Sequence, residues 1–200
     1  MRRLWILIFP VLLAACTAEP VWAPDDAVSR AAYRADGPPS ITLVTMINNR
    51  SKEGAHSAIL INASQRVIFD PAGSWWHRNA PERNDLHYGM RPILLDFYID
   101  YHARETYHVV MQRKVVSPEV AERALQLAQG YGAVSKARCG SATSAILRQL
   151  PGFEGIRQSW YPGRIMRNFE ELPGVETTRY FDDDSDDNGG VLRVQNDPAQ

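Results

Sequence analysis

Three runs in the first half of the chain alternate apolar and polar or β-branched residues: ITLVTMIN (41–48), AHSAILIN (55–62) and RVIFD (66–70). A period of two over this length predicts strands. The polar stretch 48–54 and the tight Ala63-Ser64-Gln65 connection leave room for little but an antiparallel meander, closed by Pro71-Ala72-Gly73. Residues 74–90 are aromatic and polar without a period and read as a long surface loop, a kind of segment that often carries function. Beyond it, 92–103 (PILLDFYIDYHA) reads as a helix opened by Pro92, and 105–115 (ETYHVVMQRKV) as a fourth strand.

The period then becomes helical. Ser117-Pro118-Glu119 offers a capping hydroxyl, proline at the first helical position and an acid in the first turn. Val120, Ala121, Ala124, Leu125, Leu127 and Ala128 form its apolar face, and Gly130 and Gly132 end it. A shorter helix opens at Cys139, with Ala142, Ile146, Leu147 and Leu150 at helical spacing and Pro151-Gly152 as its stop. Hairpins mixed with helices in this way make an α+β domain.

The ends of the chain follow other rules. Arg2 and Arg3 precede an apolar run over 4–13, too short to span a bilayer as a helix, and then comes Leu13-Ala14-Ala15-Cys16. Small residues directly before a cysteine resemble a bacterial lipobox, which implies that 1–15 is a leader and that Cys16 is acylated, anchoring the protein to a membrane. A plain signal peptide cleaved near Ala15 is the alternative. Thr17 stands where an aspartate would favour retention in the inner membrane, so the outer membrane, with the domain facing the periplasm, is the expected location. Residues 16–38, rich in Pro and Ala, suit a tether, and 39–181 is the size of one domain. The acidic run within 182–200 (DDDSDDNGG) has no apolar period and reads as a disordered tail. The formal charge of −1 lies close to neutral and gives no reason to expect nucleic acid as a partner. Neither zinc-type Cys/His spacing nor a phosphate-cradling glycine loop is present, so no metal or other cofactor is expected.

Candidate chemistry rests on the two cysteines. If a lipid consumes Cys16, Cys139 is a lone thiol in an oxidising compartment and worth attention as a reactive group. Near a helix N-terminus, with Lys136 and Arg138 close in sequence, its thiolate is favoured, and the free N–H groups of that terminus could hold an oxyanion. The small neighbours Gly140, Ser141, Thr143 and Ser144 would let a substrate approach, though they equally suit a routine helix start. The competing reading is a small buried hydrophobe. A thiol nucleophile needs an imidazole, and of five histidines two fall on predicted strands, His56 and His108. His77, His87 and His102 fall in the loop or at a helix end and are more easily pictured in solvent.

Glycine, a spacer and a histidine opening a strand (GAHSAILIN), followed much later by a cysteine opening a helix, resemble the circularly permuted NlpC/P60 group of papain-like thiol hydrolases, in which the histidine strand precedes the cysteine helix. The chain as a whole is similar to a set of proteobacterial lipoproteins. The first resemblance covers about 41–150 and implies a papain-like antiparallel sheet packed against helices. It implies Cys139 as nucleophile, His56 as base and Asp70, at the end of the following strand, as the residue that orients the ring. Asp70 before Pro71 also suits a turn, and Asn62 at the end of the histidine strand suits the turn beside it. Where relatives often carry asparagine before the cysteine, this chain has Arg138, which leaves the substrate class open. The implied activity is an amidase, peptidase or acyltransferase acting on peptidoglycan peptides or lipid-linked acyl groups. Trp75 and Trp76 are the candidate substrate platform or lid, and a non-catalytic binding lipoprotein on the same fold is the alternative.

Overall fold

The alternating runs become the centre of a seven-stranded antiparallel sheet. The computed structural model describes residues 18–194, so Cys16 and the leader before it lie outside the described residues. In chain order the elements are α1 (Asp25–Ala31), β1 (Ser40–Asn48), β2 (Gly54–Asn62), β3 (Arg66–Phe69), β4 (Glu82–Arg83), β5 (Leu86–Tyr88), α2 (Pro92–His102), β6 (Tyr107–Val115), α3 (Pro118–Gln129), α4 (Cys139–Leu147), α5 (Pro162–Glu170), β7 (Val175–Tyr180) and α6 (Gly189–Val194). The sheet order is β4-β5-β3-β2-β1-β6-β7, so the expected meander β1-β2-β3 forms its middle. The domain is therefore α+β, and no helix among the described residues is long and apolar enough to cross a membrane.

Both faces of this sheet are covered. Ile41, Leu43, Ile59, Ile61, Val67 and Phe69 pack beneath α3, α4 and α5 in one cluster. Val44, Met46, Ala58, Leu60 and Ile68 point the other way, onto Leu94, Tyr98 and Tyr101 of α2 and onto Trp75. Because successive strand residues face opposite sides, burial of both faces explains why β1 and β2 carry apolar residues at adjacent as well as alternate positions. Helix α3 begins as its sequence predicts: the Ser117 hydroxyl accepts the Val120 N–H at 3.4 Å.

Three expectations change. The 74–90 segment is not loop throughout, because Leu86 to Tyr88 pair with β3 and with β4 and are buried. The tether is docked over its described part: Trp22 bridges Arg83, the Ala23 N–H donates to the Glu82 carbonyl, and the Arg66 N–H donates to the Tyr33 carbonyl at 2.7 Å. Backbone donors and acceptors left open by the strands recruit it, an effect that composition does not report. The acidic stretch through Val194 also lies on the domain, with Val191 and Leu192 packed against the second cluster and the Glu105 N–H donating to the Asp184 carbonyl.

Candidate functional site

The β1–β2 ladder slips one residue next to His56: Met46 pairs with His56, yet Ile47 pairs with Gly54, leaving Ala55 as an extra residue. A bulge of this kind re-aims the side chains beside it. By strand alternation, His56 shares a face with Ala58 and Leu60, the face covered by α2. Asp70, one residue past β3 and in phase with Ile68, points to the same side.

Those two side chains meet. His56 Nε2 and Asp70 Oδ1 are 2.6 Å apart, and the Tyr98 hydroxyl donates to the same oxygen at 2.8 Å. Asp70 is only 1 % exposed. Its other oxygen faces Gly73, where an added Cβ would lie 2.0 Å from Oδ2. Gly73→Ala is therefore expected to push the Asp70 carboxylate off His56. Loss of that contact should appear in NMR titration of the ring as a fall in the His56 pKa, while an unchanged pKa would count against the contact.

Charge follows from this geometry. Burial alone would strip the proton from His56, but the touching Asp70 carboxylate outweighs burial and raises the ring to about 10. Burial likewise opposes ionisation of Asp70, and the charge and hydrogen bond of His56 hold it well below the usual carboxylate range. For Cys139, burial favours the thiol. The hydrogen bond and charge of His56 outweigh it, and the backbone N–H groups of Ser57 and Gly140 assist, so the group sits below the ordinary thiol value. Since Nε2 is committed to Asp70, Nδ1 is the ring nitrogen left to face the sulfur. The three residues singled out in the sequence as nucleophile, base and orienting acid are thus brought together as sulfur, imidazole and carboxylate.

The elements that hold Cys139 are α4 and the start of β2. Thr143 and Ser57 exchange hydrogen bonds across them, hydroxyl to hydroxyl at 3.1 Å and Thr143 hydroxyl to Ser57 carbonyl at 3.3 Å. The Ser144 hydroxyl accepts the Ser159 N–H at 3.0 Å, drawing the 159–161 loop over the helix start, and a Cβ on Gly140 would lie 2.6 Å from the Trp160 carbonyl oxygen. Gly140, Thr143 and Ser144 therefore serve close packing rather than substrate approach, which corrects that part of the expectation. No side chain caps α4, so its first N–H groups are not taken by a capping oxygen. Arg138 covers the Trp160 ring at 5.2 Å instead of turning to the thiol, whose cationic partner is His56.

Other predicted residues fall elsewhere. His108 is buried at the far side of β1, bonded through Nδ1 to Asn49 at 2.7 Å and stacked on Phe181, so it does not serve the thiol. Asn62 donates to the Pro38 carbonyl. Trp75 offers no platform: it is 2 % exposed and packs edge-on against Tyr98 and His87, supporting the floor under Asp70. Trp76 is 40 % exposed and lines a separate cavity with Glu19, Lys136 and Trp75.

Two of the histidines pictured in solvent belong to this neighbourhood. His87 is buried, where desolvation lowers its pKa. His102 stacks nearly parallel to His56 with centroids 6.1 Å apart, and its Nδ1–H donates to the Tyr98 carbonyl at 2.8 Å. Burial drops His102 to about 4, with Asp70 opposing and the charge of His56 adding to the fall, so a neutral ring lies against the charged one. Tyr98 and His102 are the residues that reading from sequence missed. Their i, i+4 spacing on α2 put them on one face and was the available signal. Beside His56 and His102 opens a cleft of about 460 Å³, walled also by Met46, Tyr101, Arg104 and Tyr107. No family model, curated protein or solved structure matches the chain.

Proposed function

We propose that this chain is an envelope-anchored thiol hydrolase or acyltransferase on a permuted, papain-like fold, tethered to the outer membrane through a lipid on Cys16. The observation that carries the reading is His56 held by Asp70 on Nε2, with the buried Cys139 thiol near enough to be shifted by the charge on the ring. Histidine on β2 precedes cysteine on α4, the order that the permuted NlpC/P60 group would have.

In this mechanism Cys139 Sγ, as thiolate, attacks an amide or ester carbonyl carbon, and the carbonyl π electrons move to oxygen. Free N–H groups at the start of α4 stabilise that oxyanion. On collapse the leaving amine or alcohol takes the proton from His56 Nδ1, and a thioester remains on Cys139. Neutral His56 then takes a proton from water or another acceptor, which attacks the thioester and expels the thiolate. Asp70 keeps the ring oriented through the cycle and stabilises its charged form, and Tyr98 fixes Asp70.

Peptidoglycan peptides and lipid-linked acyl groups are the carbonyl compounds within reach of a tethered site. The test is to incubate the purified protein with a cell-wall peptide digest or a lipid extract and search for a hydroxylamine-labile acyl mass on Cys139. Muropeptide and lipid profiles of a strain carrying Cys139→Ala are then compared with its parent. Unchanged profiles together with no adduct would refute the reading. One observation favours a binding protein on the same fold instead. The cleft borders His56 and His102, while Cys139 is 7 % exposed. Under that reading Cys139→Ala leaves both profiles unaltered but keeps ligand binding.

A further inference from the structure

The same cleft has a cationic wall that the chemistry above does not use. Arg104, in the turn between α2 and β6, is 5 % exposed. A guanidinium taken out of water is costly unless it is paired. One terminal nitrogen is paired within its own neighbourhood, with Asp100 four residues earlier at 3.1 Å. The other meets Asp184 of the acidic segment at 2.9 Å, and Nε is buried with no hydrogen-bond partner. Two residues on, Thr106 grips a second acid of that segment with both of its donors: its N–H reaches Asp186 Oδ1 at 3.1 Å and its hydroxyl reaches Oδ2 at 2.5 Å. Arg104, Thr106 and Asp186 line the cleft together with His56 and His102.

A strip of donors thus receives two carboxylates beside the candidate base. The acids that fill it come from a segment held on by exchangeable contacts. Asp184 keeps about two thirds of its side chain in solvent, where such an ion pair contributes little. An incoming carboxylate could replace either aspartate without leaving the buried guanidinium unpaired.

We propose that the cleft beside His56 carries a carboxylate-binding subsite built on Arg104 and Thr106, that its ligand is an acidic peptide, and that the chain's own Asp184 and Asp186 occupy the subsite until such a peptide displaces them. This deepens the reading of the site as a thiol hydrolase: the substrate bears a carboxylate close to the carbonyl that Cys139 attacks, and the acidic segment is a competitor in cis. Arginine suits the task because its planar fork matches a carboxylate geometrically as well as electrically.

The experiment is a calorimetric titration of the full chain carrying Cys139→Ala, so that no chemistry enters the signal, with acetyl-Ala-Glu-Ala amide and its glutamine counterpart. Adding Asp184→Asn and Asp186→Asn removes the competitor and is expected to tighten the glutamate peptide by about tenfold or more, with no gain for the glutamine peptide. Arg104→Gln in that background cancels the gain. Because Arg104 is buried, Thr106→Val supplies an independent loss at a half-buried position. In the chain that keeps both aspartates, the glutamate peptide should speed amide exchange at Glu105 and Thr106 as the acidic segment leaves. Equal binding of the two peptides, no gain from the double asparagine variant, or no binding at all would each overturn the proposal. Alkylation of Cys139 in the wild-type chain reads the thiol chemistry separately, so either idea can fail alone.

Discussion

His56→Ala is expected to slow alkylation of Cys139 at pH 6 by about tenfold to a hundredfold. In the wild-type protein the imidazolium holds the thiol below its ordinary value, so more of the sulfur is ionised at that pH than in an ordinary thiol. Without the ring, burial acts unopposed by its largest counterweight, and the thiol returns to the ordinary range or above it. That return removes thiolate, but the more basic sulfur is intrinsically more nucleophilic and offsets about half of the loss on a logarithmic scale. The rate is measured against pH with iodoacetamide and resolved by peptide mass, which keeps any signal from Cys16 apart. The wild-type profile should level off at a lower pH than that of the variant. Matching profiles would dissolve the pair and return Cys139 to a packing role.

Asp70→Asn is expected to destabilise the fold by about 3 kcal/mol at pH 7, because it removes one partner of a buried ion pair. The urea midpoint should fall by about 1–2 M for a slope typical of this size. The pH dependence carries the mechanism. His56 has its pKa raised from 6.5 to about 10, so its stabilising contribution is complete below 6.5 and is lost as pH rises through 10. Asp70 is depressed below 3.8, so its contribution is complete above that value and is lost on further acidification. His102 works in the opposite sense to its neighbour: held neutral down to about 4, it weakens the fold as pH falls from 6.5 towards 4. Wild-type stability should therefore peak near pH 6–7, and the alkaline decline should vanish in Asp70→Asn. Tyr98→Phe, which deletes one hydrogen bond and no charge, should cost about 1 kcal/mol and keep that decline. An alkaline limb surviving in Asp70→Asn would mean that another group holds the His56 proton.

The meander was legible because its period and its short connections leave few alternatives, and the start of α3 was legible because serine, proline and glutamate each satisfy a separate need of a helix N-terminus. The acidic 182–194 stretch misled for a related reason. Composition measures what a segment can bury by itself, whereas this one is held by Arg104, Thr106 and a surface that belongs to the rest of the fold. His102 misled because a histidine at a helix end is usually solvated, and only the docking of α2 over the sheet covers it. Trp75 carried no sign of its direction: two adjacent tryptophans in an aperiodic segment look alike, yet one is core and the other is surface.

From the residues alone came the central strands, the caps, a histidine that opens a strand ahead of a cysteine that opens a helix, and the lone thiol that remains if Cys16 is lipidated. Such features are local, since period and capping act over a few neighbouring residues. Tertiary structure decided which side chains meet. The slip at Ala55 and the Ile59–Phe69 register turn His56 and Asp70 to one side of the sheet, α2 brings Tyr98 and His102 onto them, and α4 delivers Cys139 to the same point. Those contacts join residues far apart in the chain, and they depend on register and packing that no short window of sequence contains.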